Sequence, residues 1–368
     1  MYALYILIGI LLAAFVYYLY TVVTWIIRWN QFSFPKVEGF SNGVSIIIPF
    51  RNEKRNFEKN IEMLIHQVKA SSDVELIFIN DHSTDGSELL LRQWTDEKIK
   101  CINAVDNGKK RAVQQGVHAA KFDYMLTLDA DILIKEDWLE GVLDATKFKR
   151  DFIILPLVVA ERSGWFKRFQ YTEFLSLFAA TGGSALTGKP LMCNGAHLLF
   201  RKNFYLKNES KLRFDVSSGD DMFLMESLEK DDSWMYHFDR RLLAQMEPEE
   251  RLRTFIRQRI RWAGKTKNLK SFHILFFGGV VVVIQLAFWA LAVACATTEC
   301  SFGWLGIFFG VKFFIDFLLL KVSSRVAGLN SSFIDVFILA LVYPIYAFII
   351  PLLSLFVTPE WKGRKIST

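Results

Sequence analysis

Two stretches without a single charged residue constrain what this chain can fold into. Residues 1–27 and 274–298 contain no Asp, Glu, Lys or Arg. Each exceeds the roughly 20 residues a helix needs to cross a hydrocarbon core about 30 Å thick. A helix satisfies its own backbone hydrogen bonds, as an apolar surrounding requires. Further apolar segments at about 302–322 and 333–357 extend the second stretch. In a chain of 368 residues this leaves room for one large soluble domain between membrane-embedded ends. The first stretch lacks a basic start and an Ala-x-Ala-like cleavage site, so it reads as a retained anchor. Arg28 and Lys36 follow it, which puts the next segment on the cytosolic side of a cell or inner membrane.

The apolar excess, 52% of residues with 34 Phe and 10 Trp, sits at those ends, and the mean hydropathy is +0.24. Net charge is +6. The basic excess gathers beside the second stretch, in Arg251, Arg253, Arg257, Arg259, Arg261, Lys265, Lys267 and Lys270. A cluster there suits anionic headgroups or phosphates rather than a nucleic-acid groove, so no nucleic-acid partner is expected. The four cysteines (Cys101, Cys193, Cys295, Cys300) form no CxxC pair and give no zinc pattern. Cys295 and Cys300 flank a short loop expected to face away from the cytosol, either as two separate thiols or as a disulfide.

Short apolar runs at 44–49, 74–79, 124–128 and 152–156 lack strict alternation, as strands buried on both faces do. Helical patterns at 56–69, 86–94 and 110–120 lie between them. That alternation predicts an α/β fold, a doubly wound and mostly parallel sheet over roughly 43–155. Segments 164–180 and 248–269 read as amphipathic helices lying along a membrane surface. The expected division is an anchor at 1–28, a catalytic domain at 43–247, an amphipathic interface helix at 248–271, membrane segments at 272–358 and a basic tail at 359–368. Four crossings would leave that tail on the far side, against the positive-inside tendency. Pro344 and Pro351 interrupt the last segment, so a re-entrant or interfacial course there is open, as is the side of the tail.

Polar motifs follow the strand ends, where open α/β sheets bind ligands. Asp129 and Asp131 are two residues apart at the end of 124–128 and, if extended, face the same way. Hard divalent cations take such carboxylates together with substrate phosphates, although a surface pair has the same spelling. Asp220 and Asp221 follow Gly219; Asp221 suits either a helix start or a base that removes a proton from a hydroxyl. On the basic helix, Arg257 and Arg261 share one face and Gln258 and Trp262 another, fit for phosphate and sugar contacts or for interface anchoring. Pro49, Glu53, Asp81, Gly108 and Lys109 lie in polar turns. There Asp81 suits a uracil imide and Lys109 a diphosphate, while ordinary turn chemistry suits them equally. Lys312 and Asp316, one turn apart in an apolar segment, can pair along one helix face.

In order, these motifs resemble the family-2 inverting glycosyltransferases of the GT-A fold over about residues 43–270. Gln258-Arg-Ile-Arg-Trp262 looks like the QxxRW element of membrane synthases (cellulose, chitin, hyaluronan), also found in ceramide glucosyltransferases. The resemblance implies a nucleotide pocket at Pro49, Glu53 and Asp81, with Lys109 near the donor phosphates. It implies a donor and metal motif at Asp129 and Asp131, and a catalytic base at Asp221 preceded by Asp220 where the family has Glu. Asn194 and Gly195 match the acceptor-side segment; Gln258, Arg261 and Trp262 match the motif lining the donor and acceptor ends. Asn80 and Gln114 depart from the pattern mildly. The implied cofactor is Mg²⁺ or Mn²⁺ and the implied donor a UDP-sugar. The acceptor is a membrane lipid in one reading and a growing polysaccharide in the other; a catalytically dead scaffold that only binds nucleotide-sugar is a third.

Overall fold

The computed structural model describes residues 2–216, 219–229, 233–298, 301–357, 360–361 and 364–365. In chain order they form α1 (Tyr2–Asn30), β1 (Val44–Phe50), α2 (Lys54–Ala70), β2 (Val74–Asn80), α3 (Ser87–Arg92), β3 (Ile99–Asn103) and α4 (Lys109–Ala119). Next come β4 (Tyr124–Leu128), β5 (Ile132–Leu133), α5 (Trp138–Thr146), β6 (Phe152–Ile154), β7 (Leu157–Val159), α6 (Trp165–Leu186) and β8 (His197–Arg201). The remainder is α7 (Lys202–Asn208), α8 (Asp220–Glu226), β9 (Trp234–Tyr236), β10 (Ala244–Met246), α9 (Leu252–Lys265), α10 (Phe272–Thr297), α11 (Phe302–Ala327) and α12 (Phe333–Phe356). Two compact units divide this chain: Met1–Ser33, Glu161–Leu191 and Glu249–Val357 make one, and Phe34–Ala160, Met192–Pro248 and Thr358–Thr368 the other.

The second unit is an α/β domain around a seven-stranded sheet of order β3-β2-β1-β4-β8-β6-β9. β1 pairs in parallel with β2 and β4, and β2 with β3. Every residue of β1, β2 and β4 is buried, which explains their unalternating apolar sequences. β3 escapes the sequence reading because it is an edge strand, half buried, with only two strongly apolar residues in Ile-Lys-Cys-Ile-Asn. The predicted strand at 152–156 is β6, but it does not adjoin β4. β8 lies between them, antiparallel to both. A smaller sheet, β5-β10-β7, completes the domain. Of the basic tail, Glu360–Trp361 pairs antiparallel with Arg364–Lys365, while residues 358–359, 362–363 and 366–368 lie outside the described residues.

The first unit is helical. α11 runs parallel to α1: Phe15 and Phe308 rings lie 4.6 Å apart, Tyr18 O–H donates to Asp316 (2.6 Å), and Arg325 donates to Asn30 (2.7 Å). α12 runs antiparallel to α11, with Phe313 against Phe333 and Phe309 against Phe337. Among the described residues three helices are long and apolar enough to cross a membrane: Ile8–Asn30, Phe272–Thr297 and Phe333–Phe356. The 302–322 segment, expected as a fourth, is helical but not among them; α11 carries Lys312, Asp316, Lys321 and Arg325. α12 continues through Pro344 and Pro351, so the expected interruption does not occur.

α6 also departs from expectation. Residues 170–175 are all buried, so it has no solvated stripe, and it belongs with the long apolar helices rather than with the α/β domain. Gly182 and Gly183 explain the fit. A Cβ on either would lie 2.1 Å from the Trp29 ring or 2.6 Å from Trp25, whereas glycine lets α1 come this close. Trp29 closes the contact by donating its indole N–H to Ala179 O at 2.9 Å. Cys300 lies outside the described residues; Cys295 directs its thiol to the Ser301 carbonyl (3.4 Å).

Candidate active site

The candidate site lies at the carboxyl ends of β1, β2 and β4. β4 stops at Leu128, and a tight turn follows in which Ile132 N–H donates to Asp129 O (3.2 Å). Asp129 and Asp131 therefore sit on a turn, not on the extended segment the spacing predicted. The turn is anchored from the other side, where Asp129 N–H donates to Ala196 O (3.1 Å). This places the acid pair beside the Asn194–Gly195 segment.

Lys109 opens α4, and its ammonium lies 2.5 Å from Asp129 Oδ1. Burial disfavours that charge, but Asp129, then Asp220 and Asp221, outweigh it and raise the lysine above its ordinary value. Asp129, on the turn after β4, is its salt-bridge partner, and the charges of Asp220 and Asp221 on α8 add to the same effect. The Lys109 backbone is set by Asp81, fully buried at the end of β2, whose Oδ2 accepts the Gly108 N–H (3.1 Å). The other Asp81 oxygen faces the His82 ring at 3.2 Å. Pro49 lies in β1 opposite Ile79, and Glu53 directs a carboxylate oxygen to the Asn56 amide (2.6 Å). Asn80, a departure from the resembled pattern, donates to both Glu88 and Asn103 and accepts from Ser83 N–H. A carboxylate cannot make those two donations. Gln114 is held in the same way, by Glu209 and Arg111.

Asp221 lies in the first turn of α8, 5% exposed. Its Oδ2 accepts the Gly195 N–H (3.0 Å) and its Oδ1 the Met222 N–H (2.9 Å). A Cβ at Gly195 would come within 3.1 Å of Asp221 Cβ, so a larger residue there would displace the carboxylate. Asn194 O accepts the His197 N–H, which fixes the turn. His197 is buried between Pro156 O (2.9 Å) and the Trp138 indole N–H (3.1 Å), so its proton resides on Nδ1. Burial pushes it down to about 4. It holds the segment in place as a neutral ring.

Gln258, Arg261 and Trp262 lie on α9, in the helical unit. The sequence reading missed what holds them. Arg259, between the motif positions, is 4% exposed and pairs in a bidentate manner with buried Glu173 of α6 (3.0 and 2.6 Å). It also donates to the Gln258 side-chain oxygen and lies over the Phe255 and Trp262 rings at 4.4 and 4.2 Å. Tyr346 of α12 donates to the same glutamate (2.9 Å). One signal was available: Glu173 is the lone acid in the aromatic 164–180 stretch.

Residues 45–207 match the family model "Glycosyl transferase family 2". The minor teichoic acid biosynthesis protein GgaB of Bacillus subtilis is 28% identical over 130 residues, 34% of this chain and 14% of that protein. The poly-beta-1,6-N-acetyl-D-glucosamine synthase of Staphylococcus aureus is 25% identical over 238 residues, 60% of this chain and 54% of that one. The chain thus spans about half or less of these relatives. A mannosyltransferase from Pyrobaculum calidifontis, solved with GDP-Man and Mn²⁺, shares the fold at a TM-score of 0.54 and 15% identity, over 95% of this chain and 97% of that one. With the parallel sheet and its acid-lined carboxyl ends, the match shows that this chain carries a glycosyl transferase family 2 domain.

Proposed function

We propose that this chain transfers a sugar from a nucleotide-sugar, with inversion, to a membrane-lipid acceptor. The observation carrying the reading is the Lys109–Asp129 pair at the strand ends, with the charges of Asp220 and Asp221 also favouring the ammonium. Asp221 is the base: it is held by two backbone N–H groups and removes the proton of the attacking hydroxyl. Lys109 supplies positive charge for the departing diphosphate. Asp81 fixes the Gly108–Lys109 turn beneath the donor, and Pro49 and Glu53 complete the nucleotide pocket. For Gln258, Arg261 and Trp262 the support is the motif, for Gly195 its bond to Asp221, and for Asn194 its place next to Gly195.

Asp129 and Asp131 fit a divalent cation in donor chemistry: two hard oxygen ligands on a partly exposed turn, the rest to come from phosphates and water. Among the described residues no group of three or more His, Cys, Asp or Glu could hold a metal by itself. Mg²⁺ or Mn²⁺ would supply electrostatic stabilisation of the leaving diphosphate. The apolar helices support an integral membrane protein, and Arg28 and Lys36 after the first of them support a cytosolic catalytic domain.

A second reading, processive synthesis of a polysaccharide, is favoured by the similarity to the poly-N-acetylglucosamine synthase. The purified protein in lipid should be given a panel of labelled nucleotide-sugars and its products sized. Label in a single-sugar glycolipid is expected, and a ladder of long chains would establish the polymer reading. No transfer from any nucleotide-sugar would overturn both.

A further inference from the structure

Two adjacent lysines open α4, and consecutive residues of a helix do not share a face. Lys109 goes to Asp129. Lys110 goes inward. It is 3% exposed, and its ammonium donates to the carbonyls of Leu212 (2.9 Å), Arg213 (2.9 Å) and Val216 (2.7 Å). Three carbonyls match the three donors of an ammonium group. A buried charge is costly unless hydrogen-bonded, so this cup secures the lysine and the 212–216 segment together. The segment bends to form it: Arg213 has a φ of 53°, uncommon for a residue with a Cβ. Arg111 holds the same segment, its guanidinium 4.2 Å from the centre of the Phe214 ring.

The Lys110 ammonium also reaches α8, lying 4.7 Å from the centre of the buried Phe223 ring, two residues after Asp221. It thus grips the chain before α8 and the helix itself. α8 needs such help. It has 7 residues, its N-cap is Gly219 with no side-chain cap, and helices shorter than about 12–15 residues are marginal alone. We propose that Lys110 is a positioning residue for Asp221, fastening the start of α8 to the first turn of α4. That turn is itself fixed through the Gly108 N–H bond to Asp81 and the Lys109–Asp129 pair. One helix start therefore sets the donor side through Lys109 and the proton-accepting side through Lys110. The inference rests on reading Asp221 as the base, and Lys110 acts only through it.

The test compares turnover with UDP affinity in Lys110→Met and Lys110→Gln, on the full chain in lipid. Turnover is counted per nucleotide site, from the UDP stoichiometry in calorimetry, so that unfolded protein does not enter. A displacement near 1 Å costs about a hundredfold, so Lys110→Met should lose about thirty- to a hundredfold in kcat. Its donor KM and UDP affinity should stay within about threefold of wild type, because Lys109 is untouched. Lys110→Gln keeps two N–H donors for the carbonyl cup and should lose less, about tenfold, with the same unchanged affinity. It decides the matter if the methionine variant folds poorly. Wild-type kcat in both variants, or a loss of UDP affinity as large as the loss of kcat, overturns the positioning role. Asp221→Asn separates this from the underlying reading. If its turnover stays within about tenfold of wild type, the base lies elsewhere and the inference falls with it. If it is inactive while both lysine variants turn over at the wild-type rate, only the positioning role fails.

Discussion

Asp221 has two oxygens and both accept backbone N–H bonds, one from its own helix start and one from Gly195. Those bonds orient a carboxylate without neutralising it, as a proton acceptor requires. Asp221→Asn keeps the shape and loses the basicity. It should lower turnover about a hundredfold or more while nucleotide-sugar affinity stays within a few-fold, measured by transfer assay and calorimetry. Activity within tenfold of wild type would place the base elsewhere. Asp131→Ala is expected to act at the other step, abolishing metal-dependent donor binding, and a chelator should produce the same loss in the unaltered protein. Activity that persists in excess chelator would remove the metal role from Asp129 and Asp131.

At the scale of elements, one buried and one part-buried charge pair stand inside the helical unit. Arg259 of α9 and Glu173 of α6 are both 4% exposed, and the pair also fixes Gln258 and Trp262. Removing one partner of such a pair strands the other charge, at a cost of about 3–5 kcal/mol. Glu173→Ala should therefore lower the melting temperature sharply, more than Glu173→Gln, which still accepts from Arg259 and Tyr346. Equal loss in the two would show that the charge, not the hydrogen-bonded geometry, matters. Lys312 and Asp316 form the second pair, 2.6 Å apart on α11, with Tyr18 of α1 donating to the same aspartate. Each alone would cost about 2.5–3.5 kcal/mol at a bilayer centre. Exchanging them (Lys312→Asp with Asp316→Lys) should preserve expression and transfer, while each single change should impair insertion. A swapped protein that inserts normally yet transfers no sugar would make this helix part of the acceptor path.

For the whole molecule, acid is the sensitive condition. Burial pushes both His197 and His237 down to about 4, and neither ring nitrogen of His237 has a hydrogen-bond partner among the described residues. Unfolded histidines take up protons near pH 6.5, before the folded ones do. Stability is therefore full above about pH 6.5, declines as pH falls towards 4, and gains no further loss from these rings below that. Thermal melting at pH 7 and pH 5 should show the decline. His237→Phe, which keeps the contact with Phe148, should remove part of it. An identical decline in that variant would exonerate His237.

The sequence by itself determined which segments are strands and helices wherever local periodicity and burial agree. β1, β2 and β4 are largely apolar because both their faces are buried, and the long charge-free stretches are helices because a helix satisfies its backbone within its own segment. The order of acidic motifs at strand ends was legible for the same reason, since a parallel sheet collects its loops on one edge. What only the tertiary structure decided are the partnerships between segments far apart in the chain. These are the insertion of β8 between β4 and β6, the burial of α6 against Trp25 and Trp29, Lys109 on Asp129 and Arg259 on Glu173. Apart from the lone acid Glu173 in its aromatic stretch, they leave no local pattern, because a charge with a distant partner is spelled like a charge in water. Only the packed chain shows which solvation it has exchanged.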